Sequence, residues 1–354
     1  MLSLAEIDLL SRGGSIALLL LWSILLLRYN RTALVARAAI AMNITIIAYV
    51  LSWRLWLVAP FSIATLLVDG LSVMAPALFW LFAQIWFTDA RQIGWRRWAL
   101  VGGFAVLPIT QIALIIGMGH FSTICWLAVR IGMFAFGLAG MWTAWRGRDN
   151  DLVEPRRRFR KGVIWAIGAF VIWVSAIEVP VFGGRWTIDI KAITEIAIVA
   201  VTFVVSIGLY GFVHPQLFAE PAKGPACAPP SPSPGTSPLA TQLGAHMAHQ
   251  RPYRAEGLTI AALAAQLGEQ EYRLRRLING ELGFRNFTAF LNNYRLDEVR
   301  GALADPAQRE VPILTIALDA GFGSLGPFNR AFREAEGMTP SAWRARALAN
   351  SEID

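Results

Sequence analysis

Charge is scarce in this chain, and so is cysteine: 16% of the 354 residues are charged and two are cysteine. So little charge beside 55% hydrophobic residues excludes an ordinary soluble enzyme and points to membrane spans. Two cysteines, Cys125 in an apolar stretch and Cys227 in a proline-rich one, exclude a disulfide framework or a cysteine-based zinc site. The four histidines, 120, 214, 246 and 249, form no metal signature. No GxSxG, HExxH, Walker A or paired-carboxylate arrangement occurs, so neither an enzyme nor a cofactor is expected. The run Gly321-Phe322-Gly323-Ser324-Leu325-Gly326 is literally GxGxxG, but a helical pattern precedes it instead of a strand, which excludes a dinucleotide site.

What is present begins with seven apolar segments, at about 9–27, 33–53, 69–87, 98–117, 124–144, 162–182 and 190–213. Each approaches the ~20 residues a helix needs to cross a bilayer. Glu6 and Asp8 stand where a signal peptide would carry basic residues, so the first segment reads as a retained span. The run 54–68 also allows a re-entrant or interfacial reading. Alternate loops at 28–32, 88–97 and 145–161 hold twelve Lys and Arg, whereas the opposite side holds Arg12, Arg54 and Arg185. That bias places the amino terminus outside and, after an odd number of spans, the carboxyl terminus in the cytoplasm. Of the 14 Trp, 13 precede residue 190, and Trp53, Trp56, Trp86, Trp95, Trp98, Trp126, Trp145 and Trp186 sit near span ends as interfacial anchors.

Ionisable residues inside spans are costly. Arg130, Glu178, Lys191 and Glu195 fall at a common depth, with Asp69, His120, Arg54, Arg185 and Asp189 nearby on the outer side. One reading is a polar pocket open to the outside for an unknown signal ligand. The other is internal pairing or snorkelling to the headgroups. Pro76, Pro108 and Pro180 are placed to kink three spans. The small pairs Ala135/Ala139 and Gly140/Ala144 offer helix–helix seats.

Between 215 and 238 lie eight prolines, which forbid helix and sheet and predict an extended, semi-rigid tether. Residues 1–214 carry 18 basic against 10 acidic residues, and residues 251–354 carry 13 of each. The positive excess therefore belongs to the apolar half, and nucleic-acid affinity in the remainder has to come from local Arg clusters. There, 239–249 puts Leu239, Leu243 and Met247 on one helical face. A short helix at 259–267 ends at Gly268, and a second runs from Glu269 to Asn279 with Leu274, Leu277 and Ile278 inward and Tyr272, Arg273, Arg275 and Arg276 on its flanks. A longer helix, about 286–304, uses Phe287, Phe290, Leu291, Tyr294 and Leu303 as core contacts. The short-helix pattern then repeats: 313–321 ends in Gly, Ser324 is suited to an N-cap, and Leu325–Glu336 turns Phe328 and Phe332 inward, with Asn329, Arg330 and Arg333 outward. Two such pairs are two helix-turn-helix units. Nineteen linking residues at ~1.5 Å each span about 28 Å, close to one turn of duplex.

The run Gly321-Phe322-Gly323-Ser324-Leu325-Gly326-Pro327-Phe328-Asn329-Arg330-Ala331-Phe332-Arg333-Glu334-Ala335-Glu336-Gly337-Met338-Thr339-Pro340-Ser341-Ala342-Trp343-Arg344 resembles the AraC-type transcription regulators. So does 271–303, and the likeness extends over about 239–346. The resemblance implies an operator-binding seven-helix domain that contacts RNA polymerase in a bacterium. By position it assigns base contacts to Arg275 and Arg276 in the first unit, and to Leu325, Gly326, Asn329 and Arg330 in the second. Leu325, Gly326 and Pro327 offer a base no hydrogen bond. The second unit is therefore expected to grip mainly phosphate, with Arg333 and Arg344 suited to that task, and Ser324 stands among the DNA-binding candidates. The expectation is an all-α protein: a seven-span domain at 1–214 in the inner membrane, a linker at 215–238, and a double helix-turn-helix domain at 239–354. Its partners are promoter DNA, RNA polymerase, membrane lipid, a second copy of the chain and an unknown signal ligand. The rival readings are a transporter or receptor with a regulatory tail, and a regulator freed by proteolysis.

Overall fold

A computed structural model of the protein describes residues 4–88, 93–153 and 237–351, with isolated positions 156, 157, 160, 162 and 166 between them. The expected spans at 162–182 and 190–213 lie outside the described residues, as does the tether up to residue 236. Among the described residues every regular element is helical, with one isolated antiparallel bridge, Asp151 to Asn286. The chain divides into two compact units, one of residues 1–148 and 155–220, the other of residues 149–154 and 221–354.

The amino-terminal unit contains α1 (Leu4–Asn30), α2 (Leu34–Val58), α3 (Ile63–Ser72), α4 (Ala75–Thr88), α5 (Trp95–Met118) and α6 (Thr123–Arg146). With α3 and α4 taken as one broken helix, five helices are long and apolar enough to cross a membrane: Glu6–Arg28, Leu34–Val58, Ile63–Thr88, Trp95–Met118 and Thr123–Arg146. They coincide with the first five expected segments. The ambiguous run 54–68 divides between the end of α2 and α3. Ser62 caps α3, its Oγ accepting from the Thr65 N–H at 3.2 Å. The chain breaks at Val73 and Met74, so Pro76 stands in the first turn of α4, where its missing N–H costs nothing, whereas Pro108 lies inside the continuous α5.

Helix α4 packs against α6 and α2, and α5 against α6. Gly140 is the close-approach point: a Cβ there would lie 2.4 Å from the Phe79 ring. Gly140 and the fully buried Ala144 thus form the expected helix–helix seat, whereas Ala135 faces outward. The outer surface is apolar: Leu20, Leu21, Ile24, Leu100, Ile109, Ile131 and Trp142 are exposed. Exposed apolar surface of this extent suits contact with lipid chains and not with water.

Several polar side chains in this unit pair internally. Arg12 donates to Asp8 at 3.0 Å and to the Val50 carbonyl at 2.6 Å, and Arg54 approaches Asp8 at 3.6 Å. Asn43 donates to Ser23 at 3.1 Å between α2 and α1. Trp95, Trp98 and Trp145 are exposed at helix ends, as anchors should be. Trp86 is not one of them. It is fully buried, stacked on Phe87 with centroids 5.0 Å apart. Two basic residues of the 145–161 loop are buried too. Arg156 donates to the Trp86 carbonyl at 3.0 Å, and Arg160 to the Phe87 carbonyl at 2.7 Å and the Ala144 carbonyl at 3.4 Å. They cap carbonyls at the last turns of α4 and α6.

The carboxyl-terminal unit contains α7 (Pro238–Gln250), α8 (Ile260–Gln266), α9 (Glu271–Arg276, continued by a π turn, Leu277–Glu281), α10 (Phe287–Ala304), α11 (Ile313–Asp319), α12 (Leu325–Glu336) and α13 (Pro340–Ser351). Helix α10 serves two cores. Its first half gives Phe287, Phe290 and Leu291 to a cluster with Leu243, Met247, Leu263, Leu274 and Ile278. Its second half gives Leu296, Val299 and Leu303 to a cluster with Ile316, Phe322, Phe328 and Phe332.

Candidate nucleic-acid interface

Two pairs of short helices, α8–α9 and α11–α12, each turn through a glycine at positive φ: Gly268 at 68° and Gly321 at 94°. Thr259 caps α8, accepting from the Ala262 N–H at 3.2 Å. In α9 the expected inward set Leu274, Leu277 and Ile278 is buried, which leaves Tyr272, Arg273 and Arg276 on one exposed face. Arg273 is tied to Glu269 at 2.8 Å one turn back.

Arg275 stands apart from that face. It is 7% exposed. Its guanidinium donates to the carbonyls of Asp151 at 2.8 Å and Asp149 at 3.0 Å, and its Nε to Glu271 at 2.7 Å. Of the two arginines to which the resemblance gives base contacts in the first unit, Arg276 is presented to solvent and Arg275 is not.

In α12, Phe328 and Phe332 are fully buried, and Leu325, Gly326, Pro327, Arg330 and Arg333 are exposed, with Asn329 half-buried. Ser324 occupies the N-cap position and is exposed, but its side chain makes no capping bond. Pro327 falls in the first turn, where no intrahelical donor is lost. Arg344 is half-buried and donates to the Val311 carbonyl at 2.8 Å and the Arg309 carbonyl at 3.2 Å, so it fastens the loop before α11.

The two pairs are held in a fixed relation by contacts that sequence reading missed. Arg295 of α10 is 8% exposed. It donates to the Tyr253 carbonyl at 2.7 Å and the Ala255 carbonyl at 3.2 Å, and lies over the Phe322 ring at 5.7 Å. A Cβ on Gly321 would lie 2.6 Å from the Tyr253 carbonyl oxygen, so the turn of the second pair abuts the backbone that precedes the first. Glu298 binds Arg254, and Glu336 binds Arg300 at 2.7 Å. Burial pulls the Arg295 pKa down and pushes the Tyr294 hydroxyl up to about 12, with Asp297 and Tyr253 adding to the latter. Only the glycine was visible in the sequence as a signal. An arginine on α10 reads as a solvated residue until its partners are known.

Two exposed helix faces bearing Tyr272, Arg273, Arg276, Arg330 and Arg333, set by an 18-residue helix, suit the grooves of duplex DNA. Residues 263–346 match the helix-turn-helix domain family. The match supports an AraC-type DNA-binding domain in the carboxyl-terminal unit, supports DNA as a partner, and points to a non-enzymatic regulator. No curated protein and no solved structure matches the chain significantly.

Of the expected ligand-pocket set, Arg130 alone is described. Its guanidinium lies 5.3 Å from the Trp126 ring, with Asp69 and Tyr49 within electrostatic reach. Glu178, Lys191 and Glu195 lie outside the described residues.

Proposed function

We propose that the protein is a membrane-embedded, sequence-specific transcription regulator whose apolar half senses a signal and whose AraC-type half occupies promoter DNA. The observation that carries this reading is the joining, in one chain, of five lipid-suited helices to a helix-turn-helix domain. The α8–α9 and α11–α12 pairs act as two reading units on successive major-groove segments. Tyr272, Arg273 and Arg276 serve the first, and Ser324, Asn329, Arg330 and Arg333 serve the second. With Leu325, Gly326 and Pro327 leading α12, the second unit grips phosphate more than it reads bases.

Topology is supported by an observation independent of loop charge. Residues 149–154 and 237–351 pack into one unit, so they occupy one side of a bilayer. An even number of crossings must separate them. Two spans, at 162–182 and 190–213, meet that condition and bring the total to seven; the loop charge then puts the shared side, and the carboxyl terminus with it, in the cytoplasm. RNA polymerase, a second copy of the chain and a ligand taken from the outer side or the bilayer complete the partners in this reading.

The test is recovery of DNA with the membrane-bound full chain. Fragments crosslinked in cells are to co-purify with the membrane fraction, and Arg276→Ala with Arg330→Ala is to abolish their enrichment. A fluorescent fusion at the carboxyl end is to shine in the cytoplasm. Enrichment that survives both substitutions, or a periplasmic carboxyl end, overturns the reading. A soluble carboxyl-terminal fragment carrying all the DNA would transfer it to a regulator released by proteolysis.

A further inference from the structure

The carboxyl-terminal unit includes six residues that the sequence places far away, Asp149–Glu154, directly after α6. Asp151 is fully buried, and Leu152, 3% exposed, is part of the first core with Leu243, Leu274, Ile278 and Phe287. The Leu152 N–H donates to the Arg285 carbonyl at 3.1 Å, and the Phe287 N–H to the Asn150 carbonyl at 2.9 Å. The Asp151 carboxylate accepts from the Val153 N–H at 3.1 Å and closes the turn. Across a separation of 124 residues, Arg275 grips the Asp151 carbonyl. Neither charge count nor periodicity marks this stretch, which in the sequence is simply part of a basic loop.

The segment is also tethered closely at both ends. Helix α6 stops at Arg146, three residues before Asp149. Two residues after Glu154, Arg156 is fixed to the last turn of α4, and Arg160 is fixed to the last turns of α4 and α6. Any shift of those helix ends acts on the segment through two or three residues. By contrast, the proline-rich route to α7 runs through more than twenty.

We propose that residues 149–153 are an intramolecular ligand of the first helix-turn-helix unit. Docked, the segment occupies Arg275 with two carbonyls and keeps it from DNA. Released by movement at the ends of α4 and α6, it gives up the two carbonyl bonds, so that Arg275, with Glu271 as its remaining partner, can swing toward the face of Arg276 and add a phosphate contact. This rests on the DNA-binding reading above. The signal reaches the reading helix through the 149–153 loop, and the proline tether only keeps the domain nearby.

The experiment uses the full chain in lipid nanodiscs, with a labelled double-stranded oligonucleotide of random sequence as probe. Leu152→Ala removes the apolar anchor and Leu152→Asp adds a buried charge, both against the parent chain. Amide exchange reports docking at Leu152 and Phe287, and the state of the domain through α10 and α12. Both substitutions are to speed exchange at Leu152 and Phe287 while α12 stays protected. Affinity for the probe is to rise ~8-fold at 0.1 M salt and the salt slope to steepen by about 0.9, as one added phosphate contact requires. Arg275→Ala is to cancel the gain. Faster exchange at Leu152 and Phe287 with unchanged or weaker DNA binding overturns the proposal, and so does loss of protection in α12 in both variants. If the parent chain and every variant fail to bind the probe, the DNA-binding reading itself fails, and the proposal with it.

Discussion

Four residues of the carboxyl-terminal unit carry distinguishable loads. Gly321 combines a φ of 94° with a backbone approach that leaves no room for a Cβ. Gly321→Ala is expected to cost at least ~2 kcal/mol, since a strained φ costs about 1–3 kcal/mol and overpacking a similar amount. Faster amide exchange in both α8 and α11 would report it, because the clash falls between the turn of the second pair and the backbone that leads into the first. Tyr294 has its folded pKa raised to about 12 from 10, chiefly by burial. Its contribution to stability is therefore complete below about pH 10 and is lost as pH rises toward 12, by ~3 kcal/mol at most. Tyr294→Phe should flatten that alkaline limb in a urea titration run at rising pH. Arg276 and Arg344 differ in kind. Arg276→Ala should reduce the salt slope of DNA binding by about 0.9. Arg344→Ala should leave the slope alone and loosen the loop at 309–311, where its guanidinium is spent on carbonyls.

At the scale of elements, α4 and α6 are joined through small residues, as the Gly140/Ala144 spacing suggested. Gly140→Leu would drive a side chain into the Phe79 ring and is expected to lower the resistance of the bundle to denaturing detergent. Phe79→Ala should partly restore it, a coupling a double-mutant cycle would detect. This contact was legible because helix periodicity and residue size are local properties. For the same reason the five apolar helices and the inward faces of α9 and α12 could be read from spacing alone, whereas the second core that α10 serves through Leu296 and Val299 was not. What could not be read depends on partners distant in the chain. Arg156, Arg160 and Trp86 look like loop charges and an interfacial ring, yet each is buried against helix ends. Arg275 lies on the correct helix for DNA, but its exposure is decided by residues 149–151. Periodicity assigns a side chain to a face of its own helix. It carries no information about which other segment covers that face.

For the whole molecule, the question is whether the DNA-binding unit is complete without the loop that follows α6. A fragment of residues 237–354, such as cleavage in the proline-rich stretch would release, lacks Leu152 and the two carbonyls that hold Arg275. Exposing the site of a buried leucine costs roughly 2–3 kcal/mol. The fragment should therefore unfold at lower urea than the same unit within the full chain. A synthetic peptide of residues 147–155 should restore stability in proportion to the logarithm of its concentration, as any ligand of the native state does. In the intact chain the short tethers hold this ligand at a high effective concentration, so docking is the resting state and release requires work at the helix ends. The same peptide should weaken the fragment's hold on DNA by occupying Arg275, and it should have no effect on a fragment carrying Arg275→Ala. A fragment as stable as the intact unit and indifferent to the peptide would mean that the loop only visits the domain. In that case signals would have to pass through association of chains, and forced pairing of the 237–354 fragment by an added coiled coil should then raise promoter occupancy on its own.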